Sequence, residues 1–301
     1  MARSFCVTDR GNAANEDFVR ATGSYGIVID GASGLAGDPL FGDRFATNAQ
    51  WLARTVGAAA CDALDAGARA EEALAGAVSL AREELEAAAG TSLAEMDPLA
   101  VPSATLALAV VGGDAVELYG LGDSPMVALM RDGSLVVSTD DVLEELDARA
   151  VALMSERDPG LALTGPERRR LVDDVVRAHR LLRNTEGGYW SLDPTGAALA
   201  HLRRLSMPRA EVASVAGMSD GFWRAFARSG PAAFGVADPV TELARLTPGR
   251  ARDILARLRE LEASDPDFRR FPRLKRSDDA SLFWLDLHKT GGAICKSERG
   301  E

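Results

Sequence analysis

The 301-residue chain predicts an α+β fold of mainly antiparallel sheets with helices packed outside them. Three observations carry that expectation. Short apolar runs are joined at hairpin signals, Gly112-Gly113-Asp114 and Asp132-Gly133. Helical patterns come in blocks between groups of strands, and strict strand–helix alternation is missing, which argues against a doubly wound parallel sheet. No internal repeat or long linker interrupts the pattern, so one domain is expected over residues 1–288, followed by a polar, flexible tail at 289–301.

Taken in order, residues 4–8 and 18–21 read as short strands. Residues 25–29 are a compact apolar run that stops at Asp30-Gly31, as a buried strand would. Gly31, Gly34, Gly37, Pro39 and Gly42 break regular structure over 31–42. Asp43 is placed as the cap of a helix running to about residue 64, with Phe45, Trp51, Leu52 and Val56 among its apolar positions. A second helix over 68–89 sets Leu74, Val78 and Leu85 opposite Glu71, Glu72, Glu83 and Glu84. Strands over 103–111 and 115–121, then 125–130 and 135–138, form the two hairpins. Residues 140–183 read as charged helix. A strand over 211–218 ends at Ser219-Asp220-Gly221, helices fill 221–229 and 239–263, and 281–287 is a last strand.

Composition narrows the chemistry. The chain carries 34 Lys+Arg against 45 Asp+Glu, a net charge of −11. Such a chain is a poor candidate for nucleic acid, which needs a broad basic face. Three scattered Cys and three scattered His supply no zinc pair and no disulfide framework, so a reducing cytoplasm is expected. The N-terminus runs directly into polar sequence without a leader pattern. The apolar stretch 104–111 is far short of the ~18 residues that span a bilayer, so no membrane association is expected.

Acids recur at strand ends: Asp30, Asp123 and Asp220 follow strands, and Asp278-Asp279 precede the last one. If that last strand is antiparallel to its neighbours, its start lies beside their ends and the acids converge. Converging carboxylates repel one another unless a cation neutralises them. Oxygen-only ligation selects the hard ions Mg²⁺ or Mn²⁺. A single Asp-Gly is ordinarily turn chemistry, and Asp132-Gly133 is read that way.

The set Asn15-Glu16-Asp17, Asp30-Gly31, Ser103-Ala104-Thr105, Gly122-Asp123-Ser124, Ser219-Asp220-Gly221 and Asp278-Asp279-Ala280-Ser281 resembles the metal-dependent protein phosphatases. These are the PPM, or type 2C, Ser/Thr phosphatases, and the resemblance is to a divergent, bacterial-type member. Each motif is weak alone; the ordered set is specific. The resemblance implies a four-layer α-β-β-α sandwich, two packed antiparallel β-sheets flanked by helices. It implies hydrolysis of phosphoserine or phosphothreonine in a phosphoprotein by a hydroxide bridging two ions, Mn²⁺ or Mg²⁺. By position, Asp30 would bridge both ions and the Gly31 carbonyl would complete one. Asp220 and Asp278 would hold the other, while Glu16 and Asp17 would position water.

Three positions depart from the family pattern. Asn12 stands where many members have a phosphate-gripping Arg, which leaves Arg10 as the nearby candidate. Ala32 follows Gly31 where eukaryotic members often have a His. A third metal site would use Asp123, but Arg224 stands where some members have an acid, and could pair with Asp123 instead. These departures motivate an alternative: a catalytically weak or inactive regulatory module that binds a phosphoprotein or partner. A third reading keeps the carboxylate site but gives it a small phosphate ester. Residues 140–210 are expected to hold a variable helical flap. Within it, Tyr189 and Trp190 are read as packing a loop onto the core, and Arg168-Arg169-Arg170 as a solvated helix face.

Overall fold

The computed structural model describes residues 4–32, 34–223 and 231–287. Its strands are β1 (Phe5–Asp9), β2 (Asp17–Ala21), β3 (Tyr25–Ala32), β4 (Ser103–Val111), β5 (Ala115–Leu121), β6 (Met126–Met130), β7 (Leu135–Ser138), β8 (Arg203–Pro208), β9 (Val212–Met218) and β10 (Ala280–Asp286). Its helices are α1 (Asn48–Asp65), α2 (Ala70–Ala89), α3 (Asp141–Arg157), α4 (Gly165–Arg170), α5 (Asp173–Arg180), α6 (Asp220–Trp223), α7 (Pro239–Arg245) and α8 (Pro248–Ala263). One five-stranded sheet has the order β1-β10-β9-β6-β7, the other β2-β3-β4-β5-β8. Every pairing within them is antiparallel.

Alternation along the strands assigns the layers. Val28 of β3 faces the space between the sheets, with Ala107, Val215, Phe283 and Leu285. Its neighbours Ile27 and Ile29 turn the other way, onto Trp51, Leu52 and Val56 of α1 and Leu74 of α2. On the far side, Met218, Leu282 and Trp284 meet Leu243 of α7 and Ile254, Leu255 and Leu258 of α8. The result is the expected sandwich: helices, sheet, sheet, helices. Phe283 is the wedge between the sheets. A Cβ placed on Gly26 of β3 or on Gly217 of β9 would lie 2.3 Å from its ring, so neither position has room for a side chain.

Several local expectations are corrected. β3 does not stop before Asp30: Asp30, Gly31 and Ala32 pair with Thr105, Ala104 and Ser103. The long partner strand β4 offers ladder positions past the apolar run. The cap of α1 is Thr47, which accepts from the Gln50 N–H at 3.0 Å; Asp43 is exposed in the preceding turn. Residues 239–263 form two helices, because Pro248 holds Thr247 extended and starts α8 anew. The 140–210 region is not wholly helical. Residues 203–208 are β8, an edge strand on β5, and Leu192 exchanges backbone hydrogen bonds with Ala104 at 2.7 and 2.8 Å. Arg224, most of the helix expected to end at 229, and the tail at 289–301 lie outside the described residues.

Candidate active site

Antiparallel pairing brings the acids together. Asp9 at the end of β1 faces Ala280 at the start of β10, and Ser219, just past β9, donates its N–H to Ser281 O at 3.0 Å. Asp17 opens β2 directly opposite Asp30 on β3. The site therefore forms at one end of the sandwich, where β1 and β9 finish and β2 and β10 begin.

Asp17 is 1% exposed, and neither carboxylate oxygen has a hydrogen-bond partner. Its pKa is pushed up to about 7, first by burial and then by the Asp278 and Asp279 charges. The Ser281 and Ser219 hydroxyls pull it partway down, although neither makes a bond of normal geometry. Asp30 keeps a partly exposed edge but is densely surrounded. Burial and the charges of Asp17, Asp220 and Asp278 hold its pKa well above the carboxylate range, and Lys275 relieves part of that. Asp220 begins α6; Gly221 beside it packs so closely that a Cβ would stand 2.1 Å from Asp279 O.

Asp278 and Asp279 point to different tasks. Asp278 Oδ1 pairs with Lys275 Nζ at 2.5 Å and accepts from the Asp279 N–H at 3.0 Å, while Oδ2 is buried without a partner. Asp279 instead ties down the loop between β1 and β2. It accepts from the Gly11 and Glu16 N–H groups at 2.8 Å and from Asn12 N–H at 3.4 Å. Glu16 accepts from the Thr47 hydroxyl at 2.6 Å, and its carbonyl accepts from Gly31 N–H at 3.3 Å. Arg10 is exposed and folds back onto Ala13 O at 3.2 Å. Among the described residues, Lys275 is a cation whose charge reaches Asp30, Asp220 and Asp278, and sequence reasoning missed it. Its spacing of three residues before Asp278 was a usable signal.

Asp123 follows β5 and lies within reach of this end. Burial first, then the Asp220 and Asp147 charges, hold its pKa well above normal. Asp147 comes from α3, an acid that nothing in the sequence distinguished from its neighbours. Among the described residues, Arg203 of β8 is a positive group beside Asp123; it donates to Gly122 O at 2.8 Å and pairs with Asp140 at 3.3 Å. Beneath the site, the buried hydroxyls of Thr105 and Ser124 meet at 2.5 Å.

Two features of the 140–210 region are settled. Tyr189 is buried and Trp190 stacks on His201 with ring centroids 3.4 Å apart, so this turn packs onto the core as expected. The Arg run is only in part a solvated face: Arg170 is exposed, Arg169 is partly buried and Arg168 is buried. Arg168 is 1% exposed, lies 3.2 Å from Asp158 and donates to the carbonyls of Asp267 and Phe268. It anchors α4 to the 265–273 turn.

Among the described residues, no three acid, His or Cys side chains close around a single point. The acids share one end of the molecule without forming a finished cage. Their chemistry nonetheless fits hard divalent ions. Both buried oxygens of Asp17 and Oδ2 of Asp278 lack any donor, and the available ligands are all oxygens. Mg²⁺ and Mn²⁺ retain several waters and do not require a cage built wholly from protein.

Stacked five-stranded antiparallel sheets with helices on both outer faces are the architecture of the PPM-type phosphatases. In sequence, residues 10–259 match the family described as Protein phosphatase 2C, and the chain belongs to that family. Among solved structures, the catalytic domain of the serine threonine protein phosphatase PstP, in complex with 2 manganese ions, is similar at 21% identity. That alignment covers 95% of this chain and 97% of the other, with a TM-score of 0.53. The Mycobacterium tuberculosis phosphatase PstP/Ppp aligns at 22% identity over 96% and 99% of the two chains, with a TM-score of 0.52. PppA, a regulatory component of T6SS in Pseudomonas aeruginosa, aligns at 16% identity over 95% and 97%, with a TM-score of 0.52. At these identities the likeness establishes the fold. No curated protein matches the chain in sequence. No helix among the described residues is long and apolar enough to cross a membrane.

Proposed function

We propose that the protein is a metal-dependent phosphatase acting on phosphoserine or phosphothreonine in a phosphoprotein, in the cytoplasm. The observation that carries this reading is the gathering of Asp17, Asp30, Asp220 and Asp278 on a type 2C fold, with partnerless buried oxygens on Asp17 and Asp278. Asp30, the Gly31 carbonyl, Asp220 and Asp278 would hold two ions, Mn²⁺ or Mg²⁺; the two manganese ions of PstP support that number. When bound, such ions supply Lewis acidity, activating water and offsetting charge on the transferring phosphoryl group.

The chain's own residues do the rest. Asp17 and Glu16 orient water at the site. Asp279 holds the β1–β2 loop by three backbone N–H groups, so Glu16 and Asp17 stay at the mouth of the sheets. Arg10, exposed beside that loop, would meet the phosphate from the solvent side. Asp123 is the candidate for a third ion, and Arg203 beside it opposes one.

The test is hydrolysis of an aryl phosphate and of a phosphopeptide with Mn²⁺, with and without chelator, beside Asp30→Asn. Chelator should abolish turnover. Asp30→Asn should lower it by more than ~100-fold, beyond what loss of an outer-sphere contact costs. Wild-type turnover no higher than that of the variant would leave a phosphopeptide-binding module, measurable by calorimetry. Faster hydrolysis of small phosphate esters than of every phosphopeptide would move the substrate class.

A further inference from the structure

Lys275 meets the acidic end from its solvent side. Its Nζ is 2.5 Å from Asp278 Oδ1, yet its side chain is 51% exposed while that of Asp278 is 5% exposed. The Asp278, Asp220 and Asp30 charges all act on it and outweigh its desolvation. The backbone beneath is firmly held. Arg273 is buried against Asp265, donating to its carboxylate at 2.9 Å, and also donates to Arg276 O at 2.9 Å. A flexible four-carbon stem thus rises from a fixed base. The chain has only three lysines among 34 basic residues, and Lys275 is the one within the described residues. An ammonium is a compact, mobile point charge, unlike the planar guanidinium used elsewhere in this chain.

We propose that Lys275 is a tethered counter-ion of the active site: its ammonium and a divalent ion compete for Asp278 Oδ1, and ion binding releases the lysine to the cleft mouth. This rests on the reading of Asp278 as a metal ligand. The physical basis is charge. The gathered carboxylates repel one another, and one ammonium offsets one unit of that repulsion. It leaves Asp278 Oδ2 and both Asp17 oxygens without partners. A divalent ion would offset two units, and those partnerless oxygens would be available to hold it. Held by the same Oδ1, such an ion would repel an ammonium already in contact with that atom. The half-exposed side chain has an open route to solvent once its ammonium is displaced. Metal affinity is then set by this exchange as well as by the ligands.

Calorimetric titration of Mn²⁺ into metal-free wild type, Lys275→Met and Lys275→Gln tests the exchange directly. Both variants should bind at least tenfold more tightly with unchanged stoichiometry. Acetylation at Lys275, followed by mass spectrometry against Lys289 and Lys296, should rise several-fold when Mn²⁺ is added to wild type. Equal or weaker Mn²⁺ binding by both variants, or unchanged labelling, overturns the exchange and leaves the metal site standing. Absence of Mn²⁺ binding by all three proteins overturns the metal site and the exchange together.

Discussion

Asp278 and Asp279 are adjacent, chemically identical and differently employed. One faces the other acids and a lysine; the other caps three backbone N–H groups. The motif was legible as a pair in sequence, but its division of labour was not, because it depends on which side of β10 each residue leaves. Asp17 carries a consequence for pH. Unfolded, its carboxyl titrates near ~4; folded, it is pushed up to about 7. The folded protein keeps this proton over a range in which the unfolded chain has lost it. The resulting stabilisation is complete below the unfolded value and disappears as pH rises through the folded one. In chelator, the wild-type melting temperature should fall from about pH 4 to pH 7 relative to Asp17→Asn. Parallel curves for the two proteins would remove this account. Asp30→Asn removes a charge that Asp17, Asp220 and Asp278 repel, so the metal-free variant should melt no lower than wild type.

At the scale of elements, the 140–210 region was the least legible part. β8 alternates exposed arginine and serine with partly buried leucine on a sheet edge, a pattern without an apolar run. α4 is too short to show a period, and its arginines look alike until the 265–273 turn closes over Arg168. The two ion pairs there should behave differently. Arg168→Ala strands a buried Asp158 and should cost about 3–5 kcal/mol. Arg169→Ala removes a pair with the exposed Asp173 on the helix surface and should cost about 0–1 kcal/mol. Urea unfolding of the two variants measures both; equal losses would mean that Arg168 is not an anchor.

At the scale of the molecule, the two sheets close on Phe283. Truncation to Ala should cost about 3–5 kcal/mol, and Gly217→Ala about 1–3 kcal/mol through overpacking. If the ring is the obstacle met by the new methyl, the double variant should lose clearly less than the sum. Simple additivity in chemical denaturation would place the strain elsewhere. The −11 charge also acquires a location. Most acids solvate the surface, whereas the few gathered beside β2 and β10 require a cation, from Lys275 or from bound metal.

The sequence by itself determined most strands and helices outside the 140–210 region, the antiparallel hairpins and the identity of most of the acids that meet. Period-two alternation, apolar runs and Asp-Gly turns are properties of residues close in the chain, so they can be read locally. Only the tertiary structure decided that Asp17 faces Asp30, that Asp279 holds a loop, that Lys275 takes Asp278, and that Arg168 is buried. Those outcomes join distant positions, as Glu16 and Asp279 do across 263 residues. The cost of a buried charge, which makes such partners necessary, arises only once the sheets close and water is excluded.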